Sequence, residues 1–200
     1  MRKKVINKKK RNIYAFIDSQ NLNLGVRNSV KRGNKMVYKG WTLDFKRFLI
    51  YIKQKYLVDK AFLFIGKIED NRSLSLYKFL QKSGYSVVFK KTLKGKKGNN
   101  YVTKGNVDAE LVLHCAKIQY ENYDKAIIVS GDGDFYCLIE YLLKKRKLSK
   151  ILVPNQYAYS RLLSEFRQYI SFISELKTKL EYKKNGSVAC STKSATFPPS

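Results

Sequence analysis

The chain has 200 residues, 44% of them hydrophobic, which suffices to bury one ordinary core and points to a single domain. Lysine and arginine number 41 against 15 aspartates and glutamates, and self-repulsion at the resulting +26 makes nucleic acid the leading partner, ahead of an anionic membrane surface or a merely lysine-rich exterior. A membrane span is excluded: no uninterrupted apolar run approaches the roughly 20 residues required, and the stretch Phe48 to Tyr56 is broken by Lys53, Gln54 and Lys55.

Residues 1–11 form a basic arm, and Asp18 interrupts the adjoining apolar stretch too soon for it to be the hydrophobic region of a signal peptide, so no export is expected. The run Asn12 to Asp18 predicts a first strand covered on both faces. Leu43, Phe45, Phe48, Leu49, Ile52 and Tyr56 have helical spacing, with Thr42 as cap and Asp44 in the first turn. A second strand comes at Lys60 to Gly66, then a helix from Asn71 to Lys82 with Leu74, Tyr77 and Leu80 on one face, stopped by Gly84. Tyr85 to Lys91 reads as a third strand and Lys94 to Asn106 as a glycine- and lysine-rich loop. A helix over Val107 to Tyr120, a fourth strand at Lys125 to Ser130, a helix from Phe135 to Lys145 and a fifth strand at Lys150 to Pro154 complete the alternation. Short helices near Arg161 to Phe166 and Ile173 to Tyr182 precede a tail, 183–200, with the composition of disorder. Strands alternating with helices imply a mainly parallel sheet in a three-layer α/β/α sandwich occupying 12–182. Cys115, Cys137 and Cys190 have no metal-ligand spacing, and the first two fall on apolar helix faces, so they read as core thiols in a reducing cytoplasm.

Ligands of open parallel sheets sit beyond the carboxyl ends of the strands, where strand order reverses. Asp18 ends the first strand, Asp132 follows the fourth, Asp108 opens the helix leading into the fourth, and Asp134 starts the next. Singly, they have duller explanations: Asp134 as a helix N-cap, and Asp18 and Asp132 as ordinary strand-end turn residues, a turn that Gly131 and Gly133 would suit. Together, carboxylates converging in one crevice cannot all stay ionised without a cation, and Mg2+ or Mn2+ suits an oxygen-only set that could act on phosphate esters. An EF-hand reading of "DGD" is weak, because no acidic residue closes a loop at the required spacing.

The segments "FIDSQNL", "KGNVDAEL" and "VSGDGDF" resemble the three signature segments of the NYN domain family, a LabA-like branch of the PIN-like nuclease superfamily. The resemblance covers Asn12 to about Phe172 and implies a PIN-like sandwich with a five-stranded sheet in the order 3-2-1-4-5. It also implies a metal-dependent ribonuclease in which Asp18, Asp108, Asp132 and Asp134 are catalytic, Asp18, Asp108 and Asp132 hold metal, and Asn21 and Ser130 support them. Many relatives carry a further Asp in the helix after the central segment; this chain has His114 there, and a pairing of His114 with Glu110, one turn earlier, is expected. Related folds often pair, so a homodimer is among the expected assemblies.

RNA would be gripped by cations and by stacking on aromatics. The candidates are Lys94, Lys96, Lys97 and Lys104 around Tyr101, and Arg27, Lys31, Arg32 and Lys35 around Tyr38. The readings in play are a Mg2+- or Mn2+-dependent ribonuclease, a non-catalytic RNA-binding module of the same fold, and a haloacid-dehalogenase-like phosphatase. The last lacks the second Asp that its chemistry needs two residues after the nucleophile, since Gln20 stands there.

Overall fold

The computed structural model describes residues 11–67, 71–91, 93–97, 100–104 and 107–183. Most of the basic arm, the tail from residue 184 and Cys190 therefore lie outside the described residues. Six parallel strands form the central sheet: β1 (Ile13–Asp18), β4 (Lys60–Lys67), β5 (Ser86–Lys91), β8 (Lys125–Val129), β9 (Leu148–Val153) and β10 (Ile170–Phe172). Their order, β10-β9-β8-β1-β4-β5, contains the expected order of five strands and adds β10 outside β9. β10 spans only three half-buried residues between two 3-10 segments, Arg161–Tyr169 and Ile173–Leu176, which replace most of the two helices expected there.

Period-two alternation splits each central strand between two cores. Ala15, Ile17, Ala61, Leu63, Ile65, Ile127 and Val129 enter one, which is closed by α1 (Ser19–Arg27), α2 (Phe45–Tyr56) and α3 (Asn71–Ser83). Phe16, Phe62, Phe64, Ala126 and Ile128 enter the other, under α4 (Asp108–Leu113) and α5 (Tyr136–Lys144). α6 (Lys177–Leu180) returns to α2: Asp44 N–H donates to Leu180 O at 2.9 Å, and Tyr182 N–H to Thr42 O at 2.8 Å.

Several local expectations are corrected. Asp44, not Thr42, caps α2, its Oδ1 accepting from Arg47 N at 3.0 Å. On α3, Leu76 joins Tyr77 and Leu80 in the core, while Leu74 is exposed. Cys115 is buried, but Cys137 is exposed. The stretch read as a loop at Lys94 to Asn106 contains the antiparallel pair β6 (Leu93–Lys97) and β7 (Asn100–Lys104). A second hairpin, β2 (Val30–Arg32) with β3 (Lys35–Tyr38), comes after α1, its turn passing through Gly33 at φ 57°, where a glycine avoids the Cβ clash.

Candidate metal centre

β1 pairs with β4 on one side and β8 on the other, so the chain diverges from β1 in both directions and the crevice of a parallel sheet opens between β1 and β8. Ile17 lies opposite Val129, so the next residues, Asp18 and Ser130, emerge side by side at the carboxyl ends. Asp18 is buried and caps α1, its Oδ1 accepting from Gln20 N at 3.1 Å and Asn21 N at 3.0 Å. Its Oδ2 faces the buried Ser130 hydroxyl at 3.5 Å. That hydroxyl also accepts from Asp132 N at 3.2 Å, and the Asn21 side-chain oxygen accepts from Gly131 N at 2.8 Å. The first turn of α1 and the loop after β8 are thereby tied across the crevice.

Beyond this seam, carboxylate oxygens of Asp108, Asp132 and Asp134 lie within 4.8 Å of one another. Asp132, rather than Asp134, is the capping residue: its Oδ1 accepts from Asp134 N at 3.1 Å and opens a 3-10 turn, Gly133–Phe135, that leaves Asp134 exposed. Asp18 stands outside this trio but feels it. Burial first, then the charges of Asp108 and Asp132, push its carboxyl up to about 6 against the pull of the two α1 amides. Three clustered carboxylates and a fourth held above its ordinary range form a donor set that fits a hard divalent cation, which would relieve that repulsion.

Gly131 and Gly133 are small for proximity rather than for turn conformation. A Cβ on Gly133 would run into the Ser160 hydroxyl, and one on Gly131 would meet Tyr159 Cβ at 3.1 Å. Ser160 N–H donates to Gly131 O at 2.9 Å. The loop Pro154 to Ser160 therefore forms a wall of the crevice that sequence reasoning missed, although its place after β9 at the carboxyl edge of the sheet is the available signal.

The expected pairing of His114 with Glu110 is not made. Glu110 pairs instead with Lys90 of β5 at 3.0 Å. The His114 ring packs on Phe64, centroids 5.3 Å apart, and on Phe62, and its Nδ1 finds no partner among the described residues. Desolvation holds its pKa below the ordinary value. The helix adopts π geometry over His114–Ile118.

Among the cationic candidates, Arg27, Lys31, Arg32 and Lys35 are exposed at the end of α1 and on the β2–β3 hairpin. Tyr38 is corrected from a stacking surface to a core residue: it is buried, and its hydroxyl donates to Val26 O at 2.7 Å. The side chains of Lys94, Lys96, Lys97, Tyr101 and Lys104 lie outside the described residues.

A parallel α/β sandwich with carboxylates gathered at the strand-order reversal defines a class of acidic-site α/β proteins. Within it, this chain belongs to the NYN domain family, whose model matches residues 12–179. It is 30% identical over 158 residues to the low amplitude and bright protein LabA of Synechococcus elongatus, covering 74% of this chain and 84% of that protein. A crystal structure of a Vibrio parahaemolyticus protein of unknown function shares the fold, with TM-score 0.64 and 23% identity, covering 83% of this chain and 94% of that one.

Proposed function

We propose that this protein is a metal-dependent ribonuclease that hydrolyses RNA phosphodiester bonds. The observation that carries the reading is the convergence of Asp108, Asp132 and Asp134 within 4.8 Å in a chain of net charge +26. Acidic groups clustered there oppose the binding of a polyanion unless a cation lies between them. Asp108, Asp132 and Asp134 would hold Mg2+ or Mn2+, with Asp18 behind them adding negative charge from the seam. A divalent ion so held supplies Lewis-acid polarisation of a phosphoryl oxygen and lowers the pKa of an attacking water.

The protein's own residues do the positioning. The Asn21–Gly131 and Ser130–Asp132 hydrogen bonds fix the loop carrying Asp132, and the Gln20 and Asn21 amides fix Asp18. Exposed Arg27, Lys31 and Arg32, with the lysines of β6 and β7, would receive phosphates. A second reading, a non-catalytic RNA-binding module, draws on His114, which stands where many family members carry a further acid and packs on Phe62 and Phe64.

Cleavage of end-labelled RNA with Mn2+, Mg2+ or EDTA separates the two. The nuclease reading expects metal-dependent cutting that falls by more than about 100-fold in Asp108→Asn or Asp132→Asn. Salt-sensitive RNA retention with no cutting above the EDTA control would replace it with the binding module.

A further inference from the structure

The wall Pro154 to Ser160 reaches from the acidic crevice to the β2–β3 hairpin. At one end Ser160 touches Gly131. At the other, Asn155, buried, donates from Nδ2 to Gly25 O at 3.0 Å and accepts the Tyr157 N–H at 2.9 Å, anchoring the loop along α1. Tyr157 is thus held in place by backbone contacts, yet its side chain remains 38% exposed. Its ring lies 6.4 Å from that of Tyr38 and 6.0 Å from the guanidinium carbon of Arg32. At that distance the Arg32–Tyr157 attraction is at its outer limit, so an exposed planar cation stands loosely beside an exposed aromatic ring.

We propose that Tyr157 and Arg32 form a stacking ledge for an unpaired RNA base, so that the protein engages single-stranded rather than duplex RNA. An anchored tyrosine ring and a nearby guanidinium plane are the surfaces on which unstacked bases are received; a base inside a duplex has no free face to offer them. Tyr157 lies three residues along the wall from Ser160, a reach of at most about 11 Å, so the ledge would hold a nucleotide a short way along the strand from the carboxylates. Tyr38, buried behind Tyr157, gives the ledge a rigid back. This substrate class rests on the ribonuclease reading for its chemistry, but binding at the ledge does not require cleavage.

The test uses the full chain in EDTA with a short unpaired oligoribonucleotide containing 2-aminopurine, and the same sequence as a duplex. The expected result is quenching of the 2-aminopurine on binding. Tyr157→Ala should weaken affinity roughly tenfold and abolish the quench, and Tyr157→Phe should retain both. Arg32→Lys keeps the charge without the plane and should lose part of the quench. Matched melting temperatures of the variants check that the loop is intact. Equal affinity and quenching in Tyr157→Ala would overturn the ledge while leaving metal-dependent cleavage untouched; duplex bound as tightly as single strand would overturn the selectivity. Loss of quenching in Tyr157→Ala, in a protein that never cleaves, would support the ledge and reject the nuclease. Absence of any RNA binding by the parent protein at low salt would overturn both.

Discussion

Burial and the charges of Asp108 and Asp132 hold the Asp18 carboxyl at about 6, whereas the unfolded chain releases that proton near 3.8. Between those values the folded protein keeps a proton the unfolded chain has lost, so Asp18's contribution to stability falls as pH rises through the window. Above pH 6 the folded state carries a penalty of about 3 kcal/mol from this one group, relative to pH below 3.8. Asp18→Asn, which preserves the capping oxygen, is therefore expected to raise the melting temperature in EDTA by about 6 to 12 °C at pH 8 and to leave it unchanged near pH 3. Magnesium at a hundredfold excess over its Kd should stabilise the parent protein at pH 8 by about 2.7 kcal/mol and have little effect on Asp132→Asn, by calorimetry. Asp18 and Asp132 stand out in the sequence because they fall at or just after strand ends, and Asp108 and Asp134 because each stands at the opening of a helical segment. The division of roles between Asp132 and Asp134 is not, since two aspartates flanking one glycine can each supply a cap and only the turn's hydrogen bonds decide.

Helix ends and tight turns are where single substitutions act on whole elements. α2 stops at Leu57, which adopts the left-handed conformation at φ 56° and is 66% exposed. Leu57→Gly removes the Cβ strain but loosens the unfolded chain, and the balance is a gain of about 0.5 to 1 kcal/mol in urea denaturation. Gly133→Ala forces a methyl against Ser160 and Leu162 and should destabilise by about 1 to 3 kcal/mol while displacing the acidic turn, so metal-dependent stabilisation should weaken with it. Legibility of the elements tracks burial. β1, β4 and β8 are read directly because strands covered on both faces become apolar runs, while edge strand β5 and its counterpart β9 are read from the short β-branched runs Val87–Val88 and Ile151–Val153. α1 escapes notice because its polar stretch "SQNLNLGVR" buries only one narrow face, and β10 because three half-buried residues carry no periodicity. β6, LKGKK, is hidden in lysine and glycine, and β7, NYVTK, is obscured by the lysine- and glycine-rich sequence on either side of it, whose composition signals a loop unless hairpin pairing is known.

For the molecule as a whole, the excess of basic over acidic residues governs reach rather than fold. Some cations are held internally: Lys147 donates to the carbonyls of Tyr120 and Tyr123 at 2.6 and 2.7 Å and lies 4.1 Å from the Tyr120 ring centroid. The exposed cations of α1 and the β2–β3 hairpin remain for phosphate. RNA affinity should therefore fall steeply with salt, and replacing Arg27 and Lys31 by alanine should lower the slope of log affinity against log salt by about 2 without altering sequence preference. Removing residues 1–10 should flatten the slope further. Among the described residues no helix is long and apolar enough to cross a membrane.

The β1–β8 seam also partitions the chain. β1, β4 and β5 with their three helices are encoded before residue 92, whereas β8, β9 and β10 with α4 and α5 are encoded after residue 107. A break between β7 and α4 would leave Asp18 and Asn21 in one fragment and Asp108, Asp132 and Asp134 in the other. On the ribonuclease proposal, the second half alone keeps the acidic trio but loses Asp18 and the Asn21–Gly131 tie, so its cleavage is expected to be impaired, and any gain on mixing the halves would report the docking of β8 on β1, turning the crevice into a sensor of its own assembly.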